Sequence, residues 1–305
     1  MRKVLKWLGY ILGGLIGLVI VALIALYAIT QPQINKTYEN VPADPIAIPT
    51  DEASIERGHH LVTTILFCRE CHGADLGGKE FVNDLLTGTI WTVNLTTGKG
   101  GFGSKHTDAD YIRAIRHGIA PNNKSVIAMP ADYFNNISDK DLGAVIAYIK
   151  SLPPVDRETP PPSLGPIGRV YILLRPQFVL PASHIDHFAP RPPEPVPGPT
   201  ADYGKYLALA CRNCHGEGLV GQPPDQGGGT NLTPGGVIGR YYDYDKFVTT
   251  LRTGVTPTGK KLDPEVVPWK SLGQMTDEEM MAVWLYLQTL PNIPATDTPT
   301  QTTTP

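Results

Sequence analysis

Cysteine is scarce in this chain. Only four occur in 305 residues, all inside two Cys-x-x-Cys-His motifs, so no thiol is left over for a structural disulfide. Charge is also sparse. Charged residues make up 18% of the chain and the formal net charge is −3. No basic run beyond the first six residues offers a phosphate-tracking patch, which excludes nucleic acid as a partner. No clear alternating β pattern is visible, so the expected class is all-α. The prolines that are present cluster, and they mark linkers rather than a disordered protein.

What is there begins with Arg2, Lys3 and Lys6, followed by an uncharged stretch from Leu8 to Ile29. A run of that length can cross a hydrocarbon core of about 30 Å at a rise of about 1.5 Å per residue. Basic residues before the span and none just after it place the N-terminus inside and the bulk of the chain outside. The rival reading is a cleaved signal peptide. That reading calls for an apolar region of about 7–15 residues and a small-x-small cleavage site, which Ala25-Leu26-Tyr27-Ala28 matches poorly. Both readings export the rest of the chain. The expected setting is the cytoplasmic membrane, crossed once, with the remainder on the periplasmic or other extracytoplasmic side.

Behind the span (1–30) and a polar tether (31–50), two compact segments are expected at 51–153 and 200–291. A Pro-rich linker (154–199) separates them, and a Thr/Pro-rich tail (292–305) with a disordered composition follows. The compact segments form a repeat. In each, Cys-x-x-Cys-His comes first, then Asn-Leu-Thr (Asn94-Leu95-Thr96 and Asn231-Leu232-Thr233), then a helical stretch ending in Gly118 or Gly254. The last helices open at Ser138 and Thr276, each with a carboxylate three residues on. Asp141 is the weaker fit to a capping box and Glu279 the better one. Both end at a Leu-Pro, where proline stops a helix. Domains of this size bury little apolar surface alone, and an apolar macrocycle would supply the missing core. The apolar linker stretch Ile167 to Leu180 is too short to cross a membrane, and is expected to pack across one or both domains.

The chemistry lies in Cys68-Arg69-Glu70-Cys71-His72 and Cys211-Arg212-Asn213-Cys214-His215. Two thiols at this spacing reach the two vinyl groups of one porphyrin, and the adjoining imidazole falls over its iron. Three other readings compete. Zinc ribbons place their Cys pairs roughly 15–20 residues apart, unlike 68/71 and 211/214. A thioredoxin-like pair needs a βαβ context that is missing. Chance does not account for two motifs at matching places in a repeat. Two covalently bound haem c groups are therefore expected, with His72 and His215 as proximal iron ligands.

The sixth iron position differs between the halves. Met129-Pro130 stands in a turn nine residues before Ser138, a setting for an axial thioether, which raises reduction potential. The matching residue before Thr276 is Val267, which cannot ligate. Met275, a linker histidine (His184 or His187) or an open position remain for the second iron. Met275 also fits a hydrophobic staple. The Asn-Leu-Thr pairs match the glycosylation acceptor pattern, but their recurrence favours a structural loop near each haem. The remaining histidines, His59, His60, His106 and His117, read as surface groups or propionate partners.

By these residues each segment resembles a class I cytochrome c domain. The family's features fall on Cys68, Cys71, His72 and Met129, and on Cys211, Cys214 and His215. The resemblance implies that the first and last helices of each domain cross through a glycine against an aromatic: Gly58 with Tyr148, and Gly204 with Tyr286. The Asn-Leu-Thr and following helix pattern is similar to the cytochrome subunits of membrane-bound alcohol and gluconate dehydrogenases. The implied architecture is two tandem cytochrome c domains behind a single transmembrane helix. The implied role is electron transfer, not catalysis, with a dehydrogenase, a quinol-oxidising complex or a terminal oxidase as redox partner. An open second iron instead supports a dihaem peroxidase-like enzyme or a ligand sensor. Val267 is the departure from the family pattern that leaves these alternatives standing.

Overall fold

The computed structural model describes residues 2–223 and 228–294. The tail from residue 295 on and Gly227 lie outside the described residues. The fold is mostly helical, with one long apolar N-terminal helix. In chain order it comprises α1 (Arg2–Ile34), α2 (Glu52–His60), α3 (Cys68–His72), β1 (Glu80–Asp84), β2 (Gly88–Trp91), α4 (Asp108–His117), α5 (Ala131–Phe134) and α6 (Asp139–Ser151). Then come β3 (Ser163–Leu164), α7 (Pro166–Leu174), α8 (Pro176–Val179), α9 (Ala201–Leu207), α10 (Leu209–His215), α11 (Val237–Tyr241), α12 (Tyr244–Thr253), α13 (Trp269–Leu272) and α14 (Asp277–Thr289).

The chain forms two compact units that do not follow chain order. One takes the segment through Asp44, Gly77–Asp132 and Pro153–Ala189. The other takes Pro45–Leu76, Tyr133–Leu152 and the chain from Pro190 onward.

In the first unit, β1, β2 and β3 make a small antiparallel sheet in that order. The all-α expectation missed it. The strands are short, and β1 is exposed along nearly its whole length, so no alternation was available to betray it. The β1–β2 turn is closed by Asp84, whose side chain accepts the N–H groups of Leu86 and Thr87 at 2.9 and 2.8 Å. Asn94 organises a second loop. Its Oδ1 accepts the N–H and the hydroxyl of Thr96, and its Nδ2 donates to the Val155 and Arg157 carbonyls.

The linker packs within this unit. Ile172, Val179 and Leu180 are buried together against Ile34, Ile127 and Leu164. Arg169 of α7 donates to Thr30 Oγ1 and Gln31 Oε1 at the C-terminal end of α1, and stacks over the Tyr27 ring at 3.9 Å.

The second unit holds two helix crossings. At α2/α6 a Cβ on Gly58 would overlap the Ala144 carbonyl and stand 2.9 Å from the Tyr148 Cβ. At α9/α14 a Cβ on Gly204 would overlap the Ala282 carbonyl and stand 2.9 Å from the Tyr286 Cβ. Only glycine permits this approach, because any side chain would wedge the helices apart. The crossings are the ones the two glycine–aromatic pairs implied.

The two repeats differ between crossing and motif. Gly58 to Cys68 spans ten positions, and Gly204 to Cys211 only seven. The longer stretch contains a π-helical turn, Leu61–Ile65, closed by the Leu66 N–H donating to the Leu61 carbonyl. Helix α13 packs against this turn.

The caps follow the difference in fit between Asp141 and Glu279. At α14, Thr276 Oγ1 accepts from the Glu279 N–H while Glu279 accepts from the Thr276 N–H, a complete capping box. At α6, Ser138 Oγ accepts from the Asp141 N–H, but the Ser138 N–H donates instead to Tyr206 Oη. Asp141 is thereby freed for other partners. Arg57 binds it with two nitrogens, at 3.0 and 2.9 Å, and Tyr206 donates to it at 2.7 Å. Glu279 is met by Arg57 at 3.4 Å and by His60 at 2.7 Å. Burial pushes the Glu279 carboxyl up. The hydrogen bond and charge of His60, the Thr276 N–H and the Arg57 charge outweigh it and hold the group below the ordinary carboxylate value.

Candidate haem-attachment sites

Both Cys-x-x-Cys-His motifs are helical and both end in the same way. Gly73 and Gly216 follow at φ of 84° and 79°, each donating its N–H to the arginine of its motif, Arg69 or Arg212. Leu76 and Leu219 then donate back to those glycines and are fully buried, each at a positive φ. The sequence repeat is thus a repeat of backbone. An elbow after each histidine fixes where the imidazole stands.

The four cysteines are half-buried, and no disulfide joins them. Burial, with the neighbouring thiol of the same motif, pushes Cys68 and Cys211 up to about 12, and burial raises Cys214. Redox-active Cys-x-x-Cys pairs need the opposite shift, toward a thiolate at neutral pH. Among the described residues, no three or more His, Cys, Asp and Glu side chains gather as a zinc site requires.

His215 has a fixed tautomer. Its Nδ1–H donates to the Thr230 carbonyl at 2.6 Å, which leaves Nε2 with its lone pair for a metal. Desolvation of the ring lowers its pKa and keeps it neutral. Two buried atoms without a hydrogen-bond partner, Arg69 Nε and Arg212 Nε, occupy the same position in each motif. Polar atoms of this kind suit the edge of a bound group carrying carboxylates. At the second motif, adjacent thiols, a tautomer-locked imidazole and a buried arginine Nε together fit a covalently held haem. His72 is half-buried at the end of α3.

The segments proposed for the sixth ligand are alike in backbone and unlike in side chain. The Ala131 N–H donates to the Met129 carbonyl, and the Trp269 N–H to the Val267 carbonyl. Met129 is half-buried in the loop before α5, and the Ala128 N–H ties that loop to the Val179 carbonyl. Ala131 lies beside Gly118. At the matching place, the Trp269 indole lies on Gly254 and donates to the Leu262 carbonyl. The second repeat has therefore exchanged a thioether and a methyl for an isopropyl and an indole. Met275 and Met280 are buried at the start of α14, in positions of a hydrophobic staple.

The linker histidines part company. His184 is exposed. His187 donates from Nε2 to the Ala182 carbonyl at 3.0 Å, and its Nδ1 lies 3.2 Å from His117 Nδ1. Desolvation lowers the His187 pKa and keeps it neutral, so both of its nitrogens are engaged. His117 is buried and His60 is hydrogen-bonded to Glu279 at 2.7 Å, so neither is a freely solvated surface group; the alternative role beside a propionate is left open. Asn94 is fully buried and Asn231 nearly so. Asn231 Oδ1 accepts the Thr233 N–H and its Nδ2 donates to the Ile293 carbonyl. These asparagines are loop anchors, not glycan acceptors.

Glu70, between the two cysteines of the first motif, went unnoticed in the sequence. It accepts a hydrogen bond from Ser271 of α13 at 2.7 Å. The first attachment motif thus touches the segment that follows Val267 in the second repeat.

These features resemble those of a cytochrome c domain. Residues 53–149 match the family described as cytochrome c oxidase, cbb3-type, subunit III. Several relatives are named as cytochromes or as cytochrome subunits of dehydrogenases. The chain is 27% identical over 284 residues to the fructose dehydrogenase cytochrome subunit of Gluconobacter japonicus, covering 82% of this chain and 55% of that protein. It is 26% identical over 280 residues to the cytochrome c subunit of a quinone alcohol dehydrogenase of Gluconacetobacter polyoxogenes, covering 80% and 57%. It is also 27% identical over 261 residues to a diheme cytochrome c-type protein of Cereibacter sphaeroides, covering 74% and 82%. The chain spans about half the length of the dehydrogenase subunits it matches.

Proposed function

We propose that the chain is a membrane-anchored dihaem cytochrome c that passes electrons between a dehydrogenase and other redox proteins on the outer side of the cytoplasmic membrane. Two tandem cytochrome domains, 51–153 and 200–291, each hold one haem c. Cys68, Cys71 and His72 attach the first, with Met129 as its sixth ligand. Cys211, Cys214 and His215 attach the second. The observation that carries this reading is the matched pair of elbows after the two motifs, because it makes the second motif a copy in backbone as well as in letters.

Haem iron supplies a one-electron couple whose potential depends on axial ligand, burial and nearby hydrogen bonds. The chain's own residues hold and tune it. Thr230 orients His215, and the Glu70–Ser271 hydrogen bond joins the first motif to the second repeat. The anchor reading is supported by Arg169, which ties the C-terminal end of α1 to the folded unit. A cleaved leader has no use for such a tie. Helix α1 carries Trp7 and Tyr10 near one end and Tyr27 near the other, an aromatic pattern suited to two membrane interfaces.

The test is intact mass and pyridine haemochrome analysis after expression in a host competent for cytochrome c maturation. Two covalent porphyrins in the wild type, and one in Cys211→Ala/Cys214→Ala, are expected. A colourless chain with no adduct overturns the proposal.

A further inference from the structure

Helix α7 is amphipathic in the wrong sense for a helix facing water. Its buried side carries Gly168, Arg169 and Ile172. Its outer side carries Ile167, Val170, Tyr171 and Leu174, spaced as i, i+3, i+4 and i+7, and all four are exposed. Leu174 is 65% exposed, and Phe178 of α8 continues the surface at 47%. At the other end the Ile167 N–H donates to the Leu86 carbonyl, so the β1–β2 turn abuts the helix. That turn presents Leu85, 90% exposed, and Leu86, while its carboxylate, Asp84, is turned back onto the turn's own N–H groups. Soluble surfaces rarely gather this much contiguous apolar area without an occupant.

Its location names the occupant. Arg169, on the opposite side of α7, binds Thr30 and Gln31 and covers Tyr27. Those residues directly follow, or close, the uncharged run of α1 that is long and apolar enough to cross a bilayer. The apolar stripe therefore stands level with the point where α1 leaves the hydrocarbon.

We propose that α7, α8 and the β1–β2 turn form an interfacial membrane-docking surface, seated in the headgroup–acyl boundary of the outer leaflet beside the exit of α1. The proposal rests on the anchor reading. It adds a second attachment that fixes the tilt of the first unit on the membrane, since one helix alone leaves a folded unit free to swivel. Arg169 holds the two attachments together.

The test uses the full chain with both haems attached, reconstituted in nanodiscs of mixed zwitterionic and anionic lipid. The native thiols are then consumed by thioether bonds. Single cysteines at Leu85, Val170 and Leu174 take a nitroxide label, with Leu15→Cys reporting the anchor. Lys99→Cys, at a residue exposed beside Glu158, serves as the aqueous reference. In the reduced protein, the three surface labels are expected to collide more with dissolved oxygen than with a water-soluble nickel chelate, as Leu15 does. Lys99 is expected to show the reverse. If the surface labels favour the nickel chelate while Leu15 does not, the docking proposal is overturned and the anchor stands. Surface labels shielded from both reagents mean a protein covers the face, which overturns it equally. If Leu15 itself is aqueous, the anchor reading fails and the proposal falls with it.

Discussion

Tyr206 of the second repeat donates its hydroxyl to Asp141 of the first at 2.7 Å, and the same oxygen accepts the Ser138 N–H. Counted from the crossing glycines, Tyr206 occupies the place of His60, and His60 meets Glu279. Each repeat thus lends a side chain to the carboxylate that opens the other repeat's last helix. Arg57 joins the two carboxylates. Tyr206→Phe leaves a buried carboxylate and a cap N–H each short of a partner, at a cost of about 1–3 kcal/mol. Denaturant unfolding of the intact holoprotein measures it, with both haem spectra unchanged in the native state.

Glu279 gives the network a pH dependence of defined sign. Its carboxyl is held below its ordinary value in the fold, chiefly by His60 against the opposing effect of burial. Its contribution is complete above the ordinary carboxylate value of 4.5 and is lost as pH falls through the lower folded value. Wild-type stability is expected to drop more steeply on acidification below that point than Glu279→Gln stability. Parallel unfolding curves for the two proteins at each pH would contradict this.

Met129→Ala should alter one haem and spare the other. The altered haem loses its thioether signature and shifts to lower potential, because a Met opposite His raises potential. A redox titration followed by optical and EPR spectra reads both at once. Changes at both haems or at neither would show the ligand assignment to be mistaken.

Met275→Leu is expected to leave both spectra as they are and to cost less than about 1.5 kcal/mol, the usual price of a volume-conserving core change. Loss of a low-spin haem in this variant would make Met275 a ligand.

Gly204→Ala places a methyl into the Ala282 carbonyl, and Gly58→Ala does the same at Ala144. Overpacking against backbone cannot be relieved by a rotamer. Each should cost about 3 kcal/mol and lower the yield of haem-loaded protein, seen as haem absorbance per unit of protein.

Local chemistry was legible in the sequence. The attachment motifs, the caps at Ser138 and Thr276 and the glycine–aromatic crossings all follow from short spacings or from resemblance. Even the imperfect fit of Asp141 could be read, though not its purpose. That purpose depends on Arg57 and Tyr206, at separations of 84 and 65 residues, which no periodicity encodes. The β1–β2 hairpin was missed because an exposed strand has no buried face to mark it. The linker's apolar residues were seen, but their division into one buried side and one bare side needs the position of α1. The burial of His117 was not legible because its partner, His187, is 70 residues away.

The bond between Glu70 and Ser271, with α13 resting on the π turn, packs the second repeat against the first. Cutting the chain at the Pro-rich stretch would strand Asp141 and Arg57 without Tyr206 and Glu279, and bare the turn at Leu61–Ile65. Each half expressed alone is therefore expected to be less stable than the same residues within the whole chain.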